Sequence, residues 1–203
     1  MKEKNNYKAI EKIFKRNNGV ITRNDIDQEN ISSWFLSDFV KKNNLIKVAP
    51  GFYASNEYVF DEYYILQMRY SKYIYSGMSA LFLHHLTDKI PEDIYVTCPQ
   101  GYHPFKNHLL SLVVTSISNN DLYNLGIIEV DTMFGNKVKV YDKERTICDL
   151  IKYRDKYDGE TFIKAIKAYV NGKYDQIKLF QYARVMKIEK KVFEIMEIIL
   201  NEN

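Results

Sequence analysis

The tightest constraint on this fold lies in residues 1–56, where three short amphipathic runs precede two β-prone runs around an Ala-Pro-Gly turn. Between Lys4 and Arg16, Tyr7, Ile10, Ile13 and Phe14 recur at helical spacing with lysines opposite, and Asn17-Asn18-Gly19 supplies a C-terminal stop. After the apolar pair Val20-Ile21, the Thr22 hydroxyl can cap a second helix from Arg23 to about Gln28, with Ile26 inward. Ser32 or Ser33 caps a third helix, in which Phe35, Leu36, Phe39 and Val40 form the inward stripe and Asn43-Asn44 the stop. Leu45 to Val48 and Phe52 to Ala54 flank Ala49-Pro50-Gly51 and read as a hairpin. Three helices followed by a two-stranded wing is the order of a winged helix-turn-helix. So small a unit is marginal alone, so the aromatic strand Phe52-Tyr53 is expected to close its open side.

In this arrangement one face of the third helix is free of the core. It carries Ser33, Trp34, Ser37 and Lys41, small polar groups and a base suited to a major groove. Asp38 is the exception, and is expected to pair with Lys41 or Lys42 one turn on rather than accept from a base amino group. The overall charge of +3 is too small to argue for nucleic acid, but its distribution is uneven: residues 1–56 hold ten basic against six acidic residues. The candidate DNA-binding set is Arg23, Ser32, Ser33, Trp34, Ser37, Lys41, Lys42 and Lys47. Ser33, Trp34 and Ser37 would meet base edges, Arg23, Lys41 and Lys42 would anchor phosphates, and Lys47 would act in the wing. The competing reading is a docking module for a protein partner, with Trp34 as core or interface.

Near Asn56 the pattern changes, which divides the chain into a DNA-binding domain, 1–56, and an α+β domain, 57–203. A tyrosine-rich helix is expected over Tyr58 to Tyr70, a short strand over Tyr73 to Tyr75, and then a helix capped by Ser76 that carries Met78, Leu81, Phe82 and Leu86. Strands follow at Ile94 to Thr97, Leu112 to Thr115, Ile127 to Thr132 and Val138 to Tyr141. From Asp142 onward the pattern is helical: Glu144 to Tyr153, Glu160 to Val170, Gln176 to Met186 and Glu189 to Leu200. The fold class is therefore α+β, an N-terminal winged helix-turn-helix followed by a small mixed-sheet domain with a helical C-terminal tail.

Several chemistries find no support. No apolar run is long enough for a membrane helix and Met1 to Asn6 is polar, so a cytoplasmic protein without membrane association is expected. Cys98 and Cys148 are too few for a disulfide framework or a four-cysteine zinc site and read as buried thiols. Cys98, His103 and His108 match no zinc spacing, and His84-His85 point to different sides of one helix, so no metal site is assigned. The glycines are scattered, which excludes a phosphate-cradling loop, and no nucleotide or other cofactor is expected. Glu129 and Asp131 with Lys137 or Lys139 could serve a metal-dependent nuclease, but such mixtures are ordinary on exposed strands, so no catalytic residue is assigned and the chain is read as a non-enzyme. The heptad Glu144-Arg145-Thr146-Ile147-Cys148-Asp149-Leu150 is distinctive, and it reads as a structural helix in which Arg145 pairs with Asp149 and ties the sheet to the helical tail. The excess of Lys over Arg and the 17 tyrosines follow from AT-rich codon usage, not from function. Five basic residues of the tail, Lys178, Arg184, Lys187, Lys190 and Lys191, read as a solvated helix face rather than a second nucleic-acid surface.

The segment Ser79 to Asp88, then Pro91 and Ile94 to Thr97, and the heptad Glu144 to Leu150 together resemble the second domain of AbiEi-type antitoxins. Residues 5–55, ending in Gly51-Phe52-Tyr53, resemble the N-terminal winged helix of the same family. The resemblance implies an antitoxin of a type IV toxin-antitoxin system tied to abortive infection and phage defence. It also implies a partner toxin of the AbiEii nucleotidyltransferase type, neutralised without a need for a stable complex, and repression of the shared operon. The alternative is a direct toxin-binding protein. Many members carry an arginine-rich recognition helix, whereas this chain has serines with Lys41 and Lys42. Phosphate affinity per site is then lower, and a chain that is monomeric in solution is expected to bind an inverted repeat as a dimer.

Overall fold

The computed structural model describes residues 2–55, 61–102 and 111–201. The chain forms two compact units, Met1–Ile65 with Met133–Asn136, and Leu66–Thr132 with Lys137–Asn203. The expected boundary at Asn56 lies outside the described residues.

In the first unit, α1 (Lys2–Arg16), β1 (Val20–Thr22), α2 (Arg23–Gln28), α3 (Ser33–Lys42), β2 (Ile46–Ala49) and β3 (Phe52–Ala54) follow one another in chain order. Thr22 caps α2 as a full capping box: its hydroxyl accepts from the Asp25 N–H, and the Asp25 carboxylate accepts from the Thr22 N–H. Ser32 rather than Ser33 caps α3, its hydroxyl accepting from the Trp34 N–H at 3.4 Å. Asn44, just past α3, has φ +50, a conformation that asparagine tolerates better than most residues. Ile10, Ile13, Ile21, Ile26, Leu36, Phe39 and Leu45 are buried together, with Phe14, Phe35 and Tyr53 packed against them. The wing is one strand richer than the pattern showed: β3 sits between β1 and β2, antiparallel to both, with Val20 opposite Ala54 and Ile46 opposite Ala54 on the other side. A bulge between Lys47 and Ala49 shifts the β2–β3 register. Gly51 takes φ +78 in the hairpin turn, and its carbonyl accepts from the Arg23 N–H at 2.8 Å, which joins the turn to the start of α2.

After α4 (Glu62–Arg69), whose C-terminal half belongs to the second unit, come β4 (Ile74–Tyr75), α5 (Gly77–Leu83), β5 (Ile94–Pro99), β6 (Leu112–Ile117), α6 (Asn120–Asn124), β7 (Ile127–Asp131) and β8 (Lys137–Tyr141). Then follow α7 (Lys143–Lys152), a 3-10 turn (Arg154–Lys156), α8 (Gly159–Asn171), α9 (Gln176–Val185) and α10 (Glu189–Asn201). The sheet is mixed, in the order β6-β5-β4-β8-β7, with β5–β6 and β4–β8 parallel and the other pairs antiparallel. The α+β class, with an N-terminal three-helix and wing unit and a mixed sheet followed by helices, is the one read from the sequence.

The differences are local. The helix expected over Tyr58 to Tyr70 is described only from Glu62 to Arg69, its first residues lying outside the described chain. The short α6, capped by Asn119, has no buried residue of its own, so it left no apolar period to read. Ser76 occupies the N-cap position of α5 without capping it. Its hydroxyl instead accepts from the Thr97 hydroxyl at 2.9 Å, because the strand-to-helix junction is buried against β5. His84 and His85 do not share a helix: α5 ends at Leu83, and the buried His84 meets the Tyr141 carbonyl at 2.7 Å while His85 takes φ +57.

The hub of the second unit is α7, which packs on α5, α8, α9 and α10 and buries seven of its ten residues. Two of the seven are charged, and that explains the unusual heptad. Arg145 is 2% exposed; its Nε donates to Asp149 at 3.0 Å, Nη1 donates to the carbonyls of Leu122 and Leu125, and the guanidinium lies 4.4 Å from the Tyr141 ring centre. A single side chain thus binds α6 and the residue that follows it, the sheet and α7. On the neighbouring face, Lys178 reaches Asp142 at 2.9 Å and Glu144 at 3.5 Å, and Tyr169 and Tyr182 donate to the same two carboxylates. Lys178, Arg184 and Lys190 of the basic tail are therefore engaged in ion pairs, the latter two with Glu189 and Glu194.

Candidate nucleic-acid interface

The outward surface of α3 is set by its inward one. With Leu36 and Phe39 buried, the helical period leaves Ser33, Ser37 and Lys41 in one row, and Trp34, Asp38 and Lys42 in the next. Trp34 is 60% exposed, its indole held edge-on against Phe35 with ring centres 5.0 Å apart. Ser37 and Lys41 are exposed. The Ser37 hydroxyl donates to the Ser33 carbonyl, so its lone pairs face outward as acceptors. Lys41 makes no ion pair among the described residues, and its ammonium is available to a phosphate.

Lys42 behaves differently from its neighbour. Its ammonium lies 2.8 Å from the Asp38 carboxylate and 4.7 Å from the centre of the Tyr7 ring, while the Tyr7 hydroxyl donates to the same carboxylate. The Lys42 and Tyr7 contacts hold the Asp38 carboxyl below its ordinary range, and the Asp38 contact raises Lys42. Of the two partners open to Asp38, the fold selects Lys42, which together with Asp38 meets Tyr7 of α1. Tyr7 is the residue the sequence pattern missed. Its spacing places it in the inward stripe of α1, but the partner of its hydroxyl lies 31 residues away and leaves no local trace.

The remaining candidates fall outside this face. Ser32 is occupied as the cap of α3. Arg23 opens α2, its backbone tied to the hairpin turn and its guanidinium paired with Asp27 at 2.9 Å on the surface. Lys47 is exposed on β2, opposite Tyr53 of β3. The fold thus assembles Ser33, Trp34, Ser37 and Lys41 on one helix face, and it places Arg23 and Lys47 beside the hairpin turn and on the wing strand.

Residues 8–56 match the sequence profile of a family described as "Transcriptional regulator, AbiEi antitoxin". The match runs from within α1 through the end of the wing. No curated protein matches the chain. Among solved structures, the crystal structure of the RV2827C protein from Mycobacterium tuberculosis is similar at a TM-score of 0.57 and 13% identity, over 89% of this chain and 71% of that one. At that identity the likeness is one of fold, and it extends well beyond the AbiEi match into the second unit.

Other chemistries are thinly represented. Among the described residues no group of three or more His, Cys, Asp or Glu side chains could hold a metal ion; His103 and His108 lie outside them. Glu129 and Asp131 stand opposite Lys139 and Lys137 on the β7–β8 hairpin, and Asp131 pairs with Lys137 at 3.8 Å on the exposed surface. Both cysteines are free and buried. No helix among the described residues is long and apolar enough to cross a membrane.

Proposed function

We propose that the chain is a DNA-binding autorepressor and the antitoxin of a type IV toxin-antitoxin pair, acting in the cytoplasm within an abortive-infection, phage-defence operon. The observation that carries the reading is the α3 face itself: exposed Trp34, Ser37 and Lys41 on a helix rigidly held by its buried stripe, in a unit of AbiEi regulator type. Ser33, Ser37 and Trp34 read base edges, Lys41 anchors a phosphate, and Arg23 and Lys47 add backbone contacts from the turn and the wing. Lys42 acts indirectly, by neutralising Asp38 so that the groove meets no bare carboxylate. One unit offers few cations, so two protomers on an inverted repeat are needed for tight binding.

The second unit carries antitoxicity toward an AbiEii-type nucleotidyltransferase, without a need for a stable complex. The test is co-expression. The full chain should restore growth to cells that express the adjacent toxin gene and should silence a reporter driven by its own upstream region. Trp34→Ala with Lys41→Ala should lose silencing and keep rescue. Loss of rescue alone in that variant, together with co-purification of the toxin, would favour a docking module over a repressor.

A further inference from the structure

The two edges of the mixed sheet, β6 and β7, are finished differently. On β7, Glu129 and Asp131 are exposed, the kind of charge that keeps a sheet edge from pairing with another chain. On β6 the sequence is Leu-Val-Val-Thr-Ser-Ile, with no charge, proline or glycine. Leu112 to Ile117 pair with β5 in an unbroken register, and no strand among the described residues lies on their other side. Val113 and Val114 are 37% and 44% exposed. We propose that this edge pairs with the same edge of a second copy of the chain, joining two sheets across a two-fold axis at Val114.

The hydrogen-bond phase of β6 fixes which backbone groups meet that edge. The Ile94 N–H donates to the Ser111 carbonyl and the Gln100 N–H to the Ile117 carbonyl, both at 2.9 Å, so in this parallel ladder the odd-numbered residues of β6 bond to β5. The Tyr95 carbonyl accepts from the Ser76 N–H on the other side of β5, as the same phase requires. The N–H and C=O groups of Leu112, Val114 and Ser116 therefore face away from β5.

Three outward residues centred on Val114 form a self-complementary set. In an antiparallel pair with Val114 opposite Val114 of the second copy, Leu112 stands opposite Ser116, and all three outward N–H groups of each copy find a carbonyl. Between them Val113 stands opposite Thr115. The cross-strand pairs are thus Val with Val, Leu with Ser and Val with Thr, and none sets like charges together. Both copies use the same surface, the isologous contact of a two-fold dimer. A ladder this short buries less than the roughly 1,200 Å² of a stable interface, so the dimer is weak, and the monomer implied by the family resemblance is its dilute form. The edge lies in the second unit, and the pairing does not rest on the DNA reading of the first.

The test is sedimentation equilibrium of the full chain without DNA, from about 5 to 500 μM, beside variants shown by melting to be folded. The expected result is a monomer–dimer equilibrium with a Kd of about 10–100 μM. Val114→Pro removes an outward N–H and leaves the bonds to β5 intact, and it should raise that Kd by roughly ten-fold or more. Val114→Lys and Val114→Glu should each do the same alone, by setting like charges at the axis, whereas an equimolar mixture of the two should regain a dimer as tight as the wild type. A dimer indifferent to all three substitutions, or a Lys and Glu mixture no tighter than its components, would overturn the proposal. So would a chain that stays monomeric at the highest concentration; if that monomer binds the purified product of the adjacent toxin gene and Val114→Pro abolishes the binding, the edge serves a strand of the toxin instead.

Discussion

If α3 is the reading helix, its two adjacent lysines must contribute unequally. An ammonium that neutralises a phosphate releases counterions and adds about 0.9 to the slope of log K against log salt. Lys41 has no ion-pair partner among the described residues, whereas Lys42 is 2.8 Å from Asp38 and rests on Tyr7. In a dimer on an inverted repeat, Lys41→Ala removes two free cations and should lower the slope by about 1.8. The wild-type advantage should then be roughly ten-fold larger at about 50 mM salt than at about 200 mM. Lys42→Ala removes a charge already matched, so its slope should change by less than half as much, although affinity falls at every salt concentration because Asp38 is left bare. Asp38→Asn should do the reverse, freeing Lys42 and steepening the slope. The assay is a mobility-shift titration at four salt concentrations on one operator duplex, with thermal melts to confirm that each variant is folded. Equal slope changes for Lys41→Ala and Lys42→Ala, or an unchanged slope for Lys41→Ala, would refute the assignment.

Other expectations concern stability and thiol reactivity. Arg145→Met should destabilise it by about 3–5 kcal/mol, since it strands two buried carbonyls and the Asp149 carboxylate, and chemical denaturation measures this directly. Gly126→Ala should cost more than Gly135→Ala, although both glycines have φ near +80, because only at Gly126 would the new Cβ meet Arg145 and Asp142 at 3.0 Å. Burial lowers the His84 pKa, so the unfolded chain takes up its proton first. Stability from this group is complete above the ordinary histidine pKa near 6.5 and declines as pH falls below it, and His84→Gln should flatten that decline in a pH series of denaturation midpoints. Burial pushes the Cys148 thiol up to about 12 and raises Cys98 as well, so neither should react with iodoacetamide at pH 8 until denaturant is added.

Much of the fold is legible because its signals are local. Thr22 before Arg23, Ser32 before Ser33 and Asn43-Asn44 after Lys42 mark helix ends by chemistry confined to a few residues, and the stripe of Leu36 and Phe39 fixes which face is left outside. The four C-terminal helices carry equally plain periods. What the pattern misses is pairing at a distance. The third wing strand, β1, is only three residues long, and its partner Ala54 lies more than thirty residues on. The Tyr7 hydroxyl and the carbonyls that hold Arg145 belong to the same class. Ser76 shows the opposite failure, a cap residue in the correct place whose hydroxyl is claimed by Thr97 because the junction is buried. For the candidate site, residue types and the helix face could be read directly, but the inequality of Lys41 and Lys42 could not, since it depends on where α1 passes.

The central claim is that α3 reads DNA in the chain's own promoter. Nuclease footprinting of that upstream region with the full chain, beside Trp34→Ala and Ser37→Ala variants shown by melting to be folded, tests it most directly. The account predicts protection of two half-sites related by a two-fold axis, weakened at the same bases in both half-sites by either substitution. Protection that is absent, or that is unaltered by both substitutions, would contradict it.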